Sequence, residues 1–262
     1  MRSFEESWLF PELGAYYNAN RISRLALTMD IDWAPDFVVE TILTWFFENS
    51  LPLTVFTTHF STSLQALHVK YPHLLEIGIH PNFSKGFDPS AVASLREAHP
   101  TAIGSRSHRN ISGRNVSDIL KPHGILYDSS QILWKSPYLQ VTPTYNGIFN
   151  IPYIWEDGYH LEMNAPLNQG ELPLNTPGLK ILNFHPLLLY LNCISDETRK
   201  KAVRGITDLT KVTQDYLDPF VHNNYGIWDF SKEFLLALKA EGKGFYRLGD
   251  IARILGAKFG VI

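Results

Sequence analysis

The chain has very little cysteine and no long hydrophobic run. Cys193 is its single cysteine among 262 residues, so an intramolecular disulfide and a zinc site built from several thiolates are both excluded. The longest aliphatic stretches, such as residues 187–191, are far shorter than the roughly 20 apolar residues that span a bilayer. The first residues include acidic side chains where a signal peptide has an apolar core. These absences predict a cytoplasmic protein with no membrane insertion.

An excess of charge of one sign is also missing. The chain contains 23 Lys and Arg residues against 26 Asp and Glu residues, which gives a formal net charge of −3 at pH 7. Such a balance provides no general attraction to nucleic-acid phosphates or anionic membranes. With 45% hydrophobic and 19% charged residues, the composition is typical of a globular protein. We therefore expect no nucleic-acid partner, and no pattern in the sequence defines an oligomeric interface.

Strand-like and helix-like segments alternate in the first half of the chain. The strand-like segments are 25–30, 53–58, 74–80, 102–107 and 125–127. The helix-like segments are 36–49, 63–71, 88–99 and 116–122. Because the strand-like segments are short and apolar on both faces, this alternation predicts an α/β protein with a buried parallel sheet.

The pattern changes between about residues 131 and 176. Prolines and aromatic residues are frequent there, which predicts an irregular insertion of strands and long loops, suited to roof the mouth of a barrel. The strand pattern resumes at 179–184, and helices are predicted over 196–216 and 230–240. Since no domain linker is evident, we expect a single domain over residues 1–262.

Four predicted strands end on side chains that bind metals or transfer protons. Asp30 and Asp32 follow the first strand, His80 the third and His108 the fourth, and His185 follows the strand at 179–184. The carboxyl ends of parallel strands meet at one edge, so these groups are expected to converge. Two carboxylates with three imidazoles indicate a hydrolytic metal site.

The residue types also suggest roles. One aspartate and two histidines bind zinc or another divalent ion and leave positions for water and substrate. If the first strand stays extended, Asp30 and Asp32 point to one face, so one can bind metal while the other accepts a proton. Arg106 is expected to pair with Asp30 and keep it ionised. His185 precedes a proline, which favours an extended end, and a histidine across from the metal suits a general acid.

Each residue also has a simpler explanation when it is considered alone. Asp32 can cap a helix while Asp30 is solvated. His80 or His108 can be an ordinary hydrogen-bonded histidine, and His59, at the end of the second strand, can compete as a ligand. The combination of strand ends favours the metal site over these alternatives.

Several short motifs resemble those of the NodB-like polysaccharide deacetylases, carbohydrate esterase family 4. Residues 28–33 are similar to the first motif of that family, 76–80 to its metal-histidine motif, 127–130 to a later segment and 183–186 to the motif with the catalytic histidine. The combination of Asp-Ile-Asp-Trp-Ala-Pro, Gly-Ile-His-Pro-Asn-Phe, Arg-Ser-His and Asn-Phe-His-Pro resembles the WbmS-like branch, which is linked to bacterial surface-polysaccharide synthesis. The likeness extends over about residues 25–192.

The resemblance implies a fold, an activity and a set of roles. The fold would be a distorted (β/α) barrel, and the activity a metal-dependent removal of acetyl from an N-acetylated carbohydrate. Asp32, His80 and His108 would bind one divalent ion, with Asp30 as catalytic base and His185 as acid. Zinc is the first expectation for the ion, and Co²⁺, Ni²⁺ or Fe²⁺ suits the same ligands.

The chain departs from the common family pattern at two places. Many relatives have adjacent aspartates, whereas one residue separates Asp30 from Asp32, so the base and ligand roles of the two are interchangeable at this stage. Many relatives also have two histidines four residues apart, but Ser84 stands four residues after His80. His108 is the expected replacement ligand.

The substrate contacts and the function class have alternatives as well. Trp33, Phe83 and Trp155 are predicted to offer apolar faces to a sugar ring, with core packing as the other interpretation. A metal-dependent phosphoesterase would usually gather more histidines and more than one ion. A non-catalytic carbohydrate-binding protein on the same fold would bind sugar without releasing acetate.

Overall fold

The computed structural model describes residues 23–174, 176 and 178–259. Its strands are β1 (Ser23–Asp30), β2 (Leu53–Thr57), β3 (Leu75–Ile79), β4 (Gly104–Ser105), β5 (Tyr127–Asp128), β6 (Thr142–Pro143), β7 (Phe149–Asn150), β8 (Trp155–Glu156), β9 (Gly178–Phe184) and β10 (Phe245–Tyr246). Its α-helices are α1 (Asp36–Glu48), α2 (Thr62–Lys70), α3 (Pro89–Ala98), α4 (Arg114–Leu120), α5 (Asp157–Glu162), α6 (Pro186–Tyr190), α7 (Asp196–Ala202), α8 (Gln214–Leu217), α9 (Ile227–Ala240) and α10 (Leu248–Phe259).

The strands form one mixed sheet in the order β6-β7-β5-β4-β3-β2-β1-β9-β8, and β10 pairs with β1. Every pair is parallel except β6 with β7. The longest pairing joins β1 to β9, from Ser23 opposite Gly178 to Met29 opposite Phe184. Strands β1, β2 and β3 are buried along the residues whose exposure is described, as expected for a parallel sheet covered by helices.

The sheet curls because its two ends are joined by very few residues. Strands β7 and β8 lie seven strand spacings apart in the order, which is about 34 Å in a flat sheet. Only residues 151–154 connect them, and such a connection reaches at most about 18 Å. The Ile151 N–H donates to the Asp128 carbonyl at 2.9 Å, and the Ile154 N–H donates to the Ile181 carbonyl at 3.0 Å. The connection therefore closes the sheet into a distorted barrel, which confirms the predicted fold class.

The segment 131–176 contains strands and irregular stretches, as its composition predicts, but its strands take a different position. Strands β7 and β8 belong to the main sheet and do not roof the mouth. Residues 148–155 are buried except for the partly exposed Asn150, so this stretch gains more from sheet closure than from solvent exposure. The flanking residues retain the irregular character that the prolines predict.

The helix predicted over 196–216 is also corrected. The structure has the short helices α7 and α8 there, separated by a 3₁₀ turn at Leu209–Lys211. Gly205 adopts φ = 77° shortly after α7 ends. This left-handed conformation terminates helices and is cheap for glycine.

The amino end of the barrel is closed by the last helix. Glu76 on β3 is buried and accepts hydrogen bonds from the Gly249 N–H at 2.7 Å, the Tyr127 hydroxyl at 2.9 Å and the Thr54 hydroxyl at 3.0 Å. Burial raises the pKa of Glu76, and these donors oppose that shift. The first turn of α10 is bound to this carboxylate, so the helix covers the amino ends of the strands. The accessible mouth therefore lies at their carboxyl ends. No helix in the described part of the chain is long and apolar enough to cross a membrane.

Replacing Glu76 tests this closure. Glu76→Ala leaves three buried donors without their acceptor, so we expect the free energy of unfolding to fall by about 2–4 kcal/mol. Urea denaturation followed by circular dichroism measures the change. Glu97→Ala, on an exposed position of α3, is the matched control and should stay within about 0.5 kcal/mol of wild type. Equal stability of the two variants would contradict a structural role for Glu76.

Candidate functional site

A tight turn after β1 places the two aspartates. Asp32 and Trp33 have left-handed φ values of 41° and 58°, and the Ala34 N–H donates to the Ile31 carbonyl at 2.7 Å. Strand β1 ends at Asp30, so the predicted extended path from Asp30 to Asp32 is wrong. With this turn, the Asp32 carboxylate lies within 3.2 Å of the imidazoles of His80 and His108. A left-handed conformation costs about 1–2 kcal/mol for a residue with a Cβ, and such strain is concentrated at functional sites.

Asp32, His80 and His108 form a group that could hold a metal ion. The Asp32 Oδ1 atom lies 3.2 Å from His80 Nε2 and 3.2 Å from His108 Nδ1. One ligand atom of each residue lies within 4.8 Å of the other two. Ligands at about 2.0–2.1 Å from a tetrahedral zinc ion are roughly 3.3 Å apart. The spacing and the oxygen–nitrogen–nitrogen donor set therefore fit a first-row divalent ion.

The electrostatics of this group also suit a cation. His80 is 3% exposed, and its Nδ1 atom has no hydrogen-bond partner among the described residues. Burial opposes protonation of His80, but Asp30 and Asp32 outweigh it and raise the pKa of His80. Burial also opposes ionisation of Asp32, yet hydrogen bonds from His108 and His80 lower its pKa. Asp32 is thus held as a carboxylate, the form that binds metal.

A strained loop carries His108. Its backbone N–H donates to the Pro81 carbonyl at 2.9 Å, which ties the loop after β4 to the loop after β3. The next residues, Arg109 and Asn110, have φ values of 60° and 57°. The Asn110 side chain donates to the Tyr153 hydroxyl at 2.7 Å. Both ends of the loop are anchored, so the imidazole has a defined position.

The motif residue Asp128 supports the same loop. The Ser107 N–H donates to Ser130 Oγ at 2.8 Å, and the Ser130 hydroxyl donates to Asp128 at 2.6 Å. Burial raises the pKa of Asp128 to about 6. Asp128 therefore positions the residue before His108 through a serine.

Arg106 is fully buried beside Asp30. Its Nη1 atom lies 3.1 Å from Asp30 Oδ1, and Nη2 and Nε donate to the Ser129 hydroxyl and carbonyl at 2.9 and 3.0 Å. The guanidinium also lies between the rings of Phe56 and Tyr153, at 4.6 and 4.3 Å from their centroids. A buried cation with this many partners is rigid, so it holds Asp30 in one orientation.

His185 is oriented by the Asp157 carboxylate, which is not among the site residues predicted from the sequence. Its Nδ1 atom lies 2.6 Å from Asp157 Oδ1, and its backbone N–H donates to Asp157 Oδ2 at 2.8 Å. His185 Nε2 is 3.9 Å from one oxygen each of Asp30 and Asp32. Burial opposes protonation of His185, but Asp157 foremost, with Asp32 and Asp30, raises its pKa to about 10.

Comparisons with known proteins show the family to which the chain belongs. The profile of the WbmS-like polysaccharide deacetylases matches residues 27–202. The chain belongs to the WbmS-like polysaccharide deacetylase family. No curated protein sequence matches it significantly.

One solved structure shares the fold. A Bordetella bronchiseptica protein described as a polysaccharide deacetylase involved in O-antigen biosynthesis (WbmS) has a TM-score of 0.69 and 23% identity, over 82% of this chain and 90% of that chain. A family 4 pseudoenzyme from Bacillus anthracis has a TM-score of 0.45 and 12% identity, over 88% of this chain and 66% of that chain.

Of the three aromatic residues predicted to contact a sugar, one lines a cleft and two are buried in this member of the WbmS-like family. A cleft of about 750 Å³ opens beside the metal-competent group (Asp32, His80 and His108), and Trp33 lines this cleft. Phe83 is 3% exposed and lies in a second core cluster. Trp155 is fully buried, and its indole N–H donates to His160 at 3.0 Å. The assignments of Phe83 and Trp155 as sugar contacts are corrected, because a ring without accessible surface offers no face to a ligand.

His59 does not join the metal-competent group, whereas two unpredicted acidic residues lie at the site. His59 is outside the metal-competent group, and its Nδ1 atom lies 2.9 Å from the Thr58 hydroxyl oxygen. Asp157 and Glu156 approach the site from the segment that sequence reasoning assigned to an irregular insertion. A useful signal was present, because two acidic residues follow directly on the apolar run at 151–155.

The metal assignment predicts the effect of removing one ligand. Mutating a residue that only hydrogen-bonds to a metal ligand typically costs about 10–100-fold in metal affinity. Removal of a ligand itself, in His80→Ala, should therefore weaken Zn²⁺ binding by roughly 100-fold or more. Calorimetric titration of the metal-free protein measures the affinity and should give about one ion per chain. His73→Ala, an exposed position, is the matched control. Unchanged zinc affinity in His80→Ala would remove this histidine from the metal site.

Proposed function

We propose that the protein is a metal-dependent N-deacetylase that removes acetyl from an N-acetylated sugar or sugar-containing precursor of a surface polysaccharide. One observation carries the proposal. The group formed by Asp32, His80 and His108 lies next to a buried carboxylate, Asp30, and a protonatable imidazole, His185, which are themselves 3.9 Å apart. A base and an acid beside a metal-competent group are the elements that amide hydrolysis requires.

A divalent ion held by Asp32, His80 and His108 would polarise the acetamide carbonyl and lower the pKa of a bound water. The protein supplies the proton transfers. Asp30 Oδ1 is engaged by Arg106, and Asp30 Oδ2 accepts a hydrogen bond from the Asn183 amide at 2.8 Å. These contacts hold the carboxylate in one orientation, 3.9 Å from both His80 and His185. In the proposed reaction Asp30 accepts a proton from the attacking water.

His185 supplies the proton that the leaving nitrogen needs. An amide nitrogen is expelled poorly unless it is protonated, because the amide anion is a strong base. With Nδ1 directed at Asp157, the other nitrogen, Nε2, is the one that faces Asp30 and Asp32. Asp157 stabilises the imidazolium, so His185 holds its proton until the carbon–nitrogen bond breaks.

The substrate class follows from the cleft and from the family. Trp33 offers a partly exposed indole beside His108, at 5.0 Å between ring centroids, and such a surface stacks on the apolar face of a sugar ring. The Bordetella relative is described as acting in O-antigen biosynthesis. On that basis we assign the substrate to the acetylated amino sugars of a surface polysaccharide or its precursors.

Acetate release tests the proposed reaction. Asp30→Asn keeps the shape of the side chain but cannot accept the proton, so turnover should fall by about 10²–10⁴-fold while Zn²⁺ stays bound. Acetate and free amine are quantified after incubation with N-acetylated amino-sugar glycosides, and metal is quantified in parallel. Asp215→Asn, an exposed aspartate, should behave as wild type. Sugar binding without acetate release by the zinc-loaded wild type would instead identify a non-catalytic binding protein. Loss of metal in Asp30→Asn would make Asp30 the metal ligand and Asp32 the catalytic base.

The pH profile tests the role of Asp157. The acid must be protonated, so with a His185 pKa of about 10 the activity should persist until the pH rises toward that value. Asp157→Asn keeps a hydrogen-bond acceptor but removes the charge that raises the pKa. Its alkaline limb of kcat against pH should therefore move to lower pH, while zinc affinity stays the same. Identical alkaline limbs in the two proteins would contradict the assignment of His185 as the acid.

A further inference from the structure

Glu156 is a carboxylate in the wall of the cleft that the proposed reaction does not use. It ends β8, directly before Asp157, and lines the cleft together with Asp32, His108 and His185. Its Oε2 atom accepts a hydrogen bond from the Tyr153 hydroxyl at 2.6 Å. No hydrogen bond from a described residue reaches its Oε1 atom. One oxygen of a packed carboxylate is therefore available to a ligand in the cleft.

The direction of the hydrogen bonds fixes what this oxygen can do. The Asn110 amide donates to the Tyr153 oxygen at 2.7 Å, so the tyrosine proton points to Glu156. Tyr153 is itself held by the Arg106 guanidinium above its ring, 4.3 Å from the centroid. The chain from Asn110 through Tyr153 thus presents Glu156 to the cleft as a hydrogen-bond acceptor in one orientation.

The cations along the cleft do not supply the missing donor. Arg199 and Lys200 line its far wall, but both are paired with Asp196, at 2.7 and 3.0 Å. Burial raises the pKa of Glu156, and the neighbouring His185 opposes that shift. A carboxylate in such surroundings gains most from a donor that arrives with the ligand.

We infer that Glu156 accepts a hydrogen bond from a ring hydroxyl of the bound amino sugar and thereby selects its substrates. The inference rests on the proposed function, because it assumes that the sugar occupies this cleft. Sugars whose hydroxyl is missing, or blocked by an ether or ester, would leave the carboxylate without a partner. A site built to bind a hydroxyl rejects the analogue that lacks it. The accepted class is therefore an amino sugar with a free hydroxyl at the contacted ring position.

The test measures binding, so that it is independent of turnover. The probes are methyl 2-amino-2-deoxy-glycosides of the gluco and galacto series, with their monodeoxy analogues at the 3-, 4- and 6-positions. Because these probes carry no acetyl group, they cannot be hydrolysed by the proposed reaction. Calorimetric or NMR titration of the zinc-loaded protein gives their affinities. In wild type, one deoxy position should weaken binding by about 10–100-fold.

Variants of the same protein then assign that loss to Glu156. In Glu156→Ala, the parent glycoside should bind no better than the sensitive deoxy analogue. Glu156→Gln keeps the size of the side chain, guards against misfolding of the alanine variant, and should reduce the discrimination because a neutral acceptor is weaker. Tyr153→Phe keeps the ring over Arg106 and should give a partial loss. Glu97→Gln, an exposed glutamate on α3 that does not line the cleft, is the matched control and should keep the full discrimination.

The outcomes separate this inference from the proposed function. Equal discrimination in wild type, Glu156→Ala and Glu156→Gln would overturn it, and so would the absence of any glycoside binding by wild type. A discrimination that depends on Glu156, found in a wild type that releases no acetate from N-acetylated glycosides, would support the inference and overturn the deacetylase activity. Acetate release by wild type, together with a discrimination between glycosides that does not depend on Glu156, would support the deacetylase activity and overturn the inference.

Discussion

The site depends on one buried charge, the guanidinium of Arg106. A fully buried arginine is tolerated only when its donors are satisfied, and breaking a buried ion pair costs about 3–5 kcal/mol. Its partners come from strands and strand ends all around the barrel. They are the Thr28 hydroxyl, the Asp30 carboxylate, the Asn183 amide oxygen, the Ser129 hydroxyl and carbonyl, and the rings of Phe56 and Tyr153. The requirement to satisfy this cation couples the closure of the sheet to the position of the candidate base.

Each charged group at the mouth has a different environment, and this difference separates the roles. Asp30 is paired with a buried cation, whereas Asp32 faces two imidazoles that lower its pKa. His185 faces Asp157, which raises its pKa, while His80 faces the two aspartates. Titratable groups whose surroundings hold them in different protonation states are typical of acid–base sites. In this barrel the candidate base, the candidate acid and the metal-competent group are formed from two residue types.

Backbone strain accompanies this arrangement at two of the three metal-competent residues. Asp32 is itself left-handed, and His108 is followed by two left-handed residues, Arg109 and Asn110. Neither turn is stable by its own sequence preference, because a Cβ disfavours positive φ. Tertiary hydrogen bonds to Thr58 and Tyr153 compensate for the strain. The hydrogen bond from Asn110 also orders the Tyr153 hydroxyl that donates to Glu156. The loop that carries His108 and the cleft wall at Glu156 therefore both depend on Tyr153.

Periodicity and motif content in the sequence were sufficient for the class of fold, for the position of the first strands and helices, and for the idea that Asp30, Asp32, His80, His108 and His185 meet. The reason is that apolar strands followed by polar residues are local patterns, and parallel strands bring their ends to one edge. Three decisions were left to the tertiary structure: closure of the barrel through residues 151–154, the left-handed turn that redirects Asp32, and the approach of Asp157 and Glu156. These depend on contacts between residues far apart in the chain. A local pattern marks Glu156 and Asp157 as acidic residues after an apolar run, but only the tertiary structure brings them to His185 and the cleft.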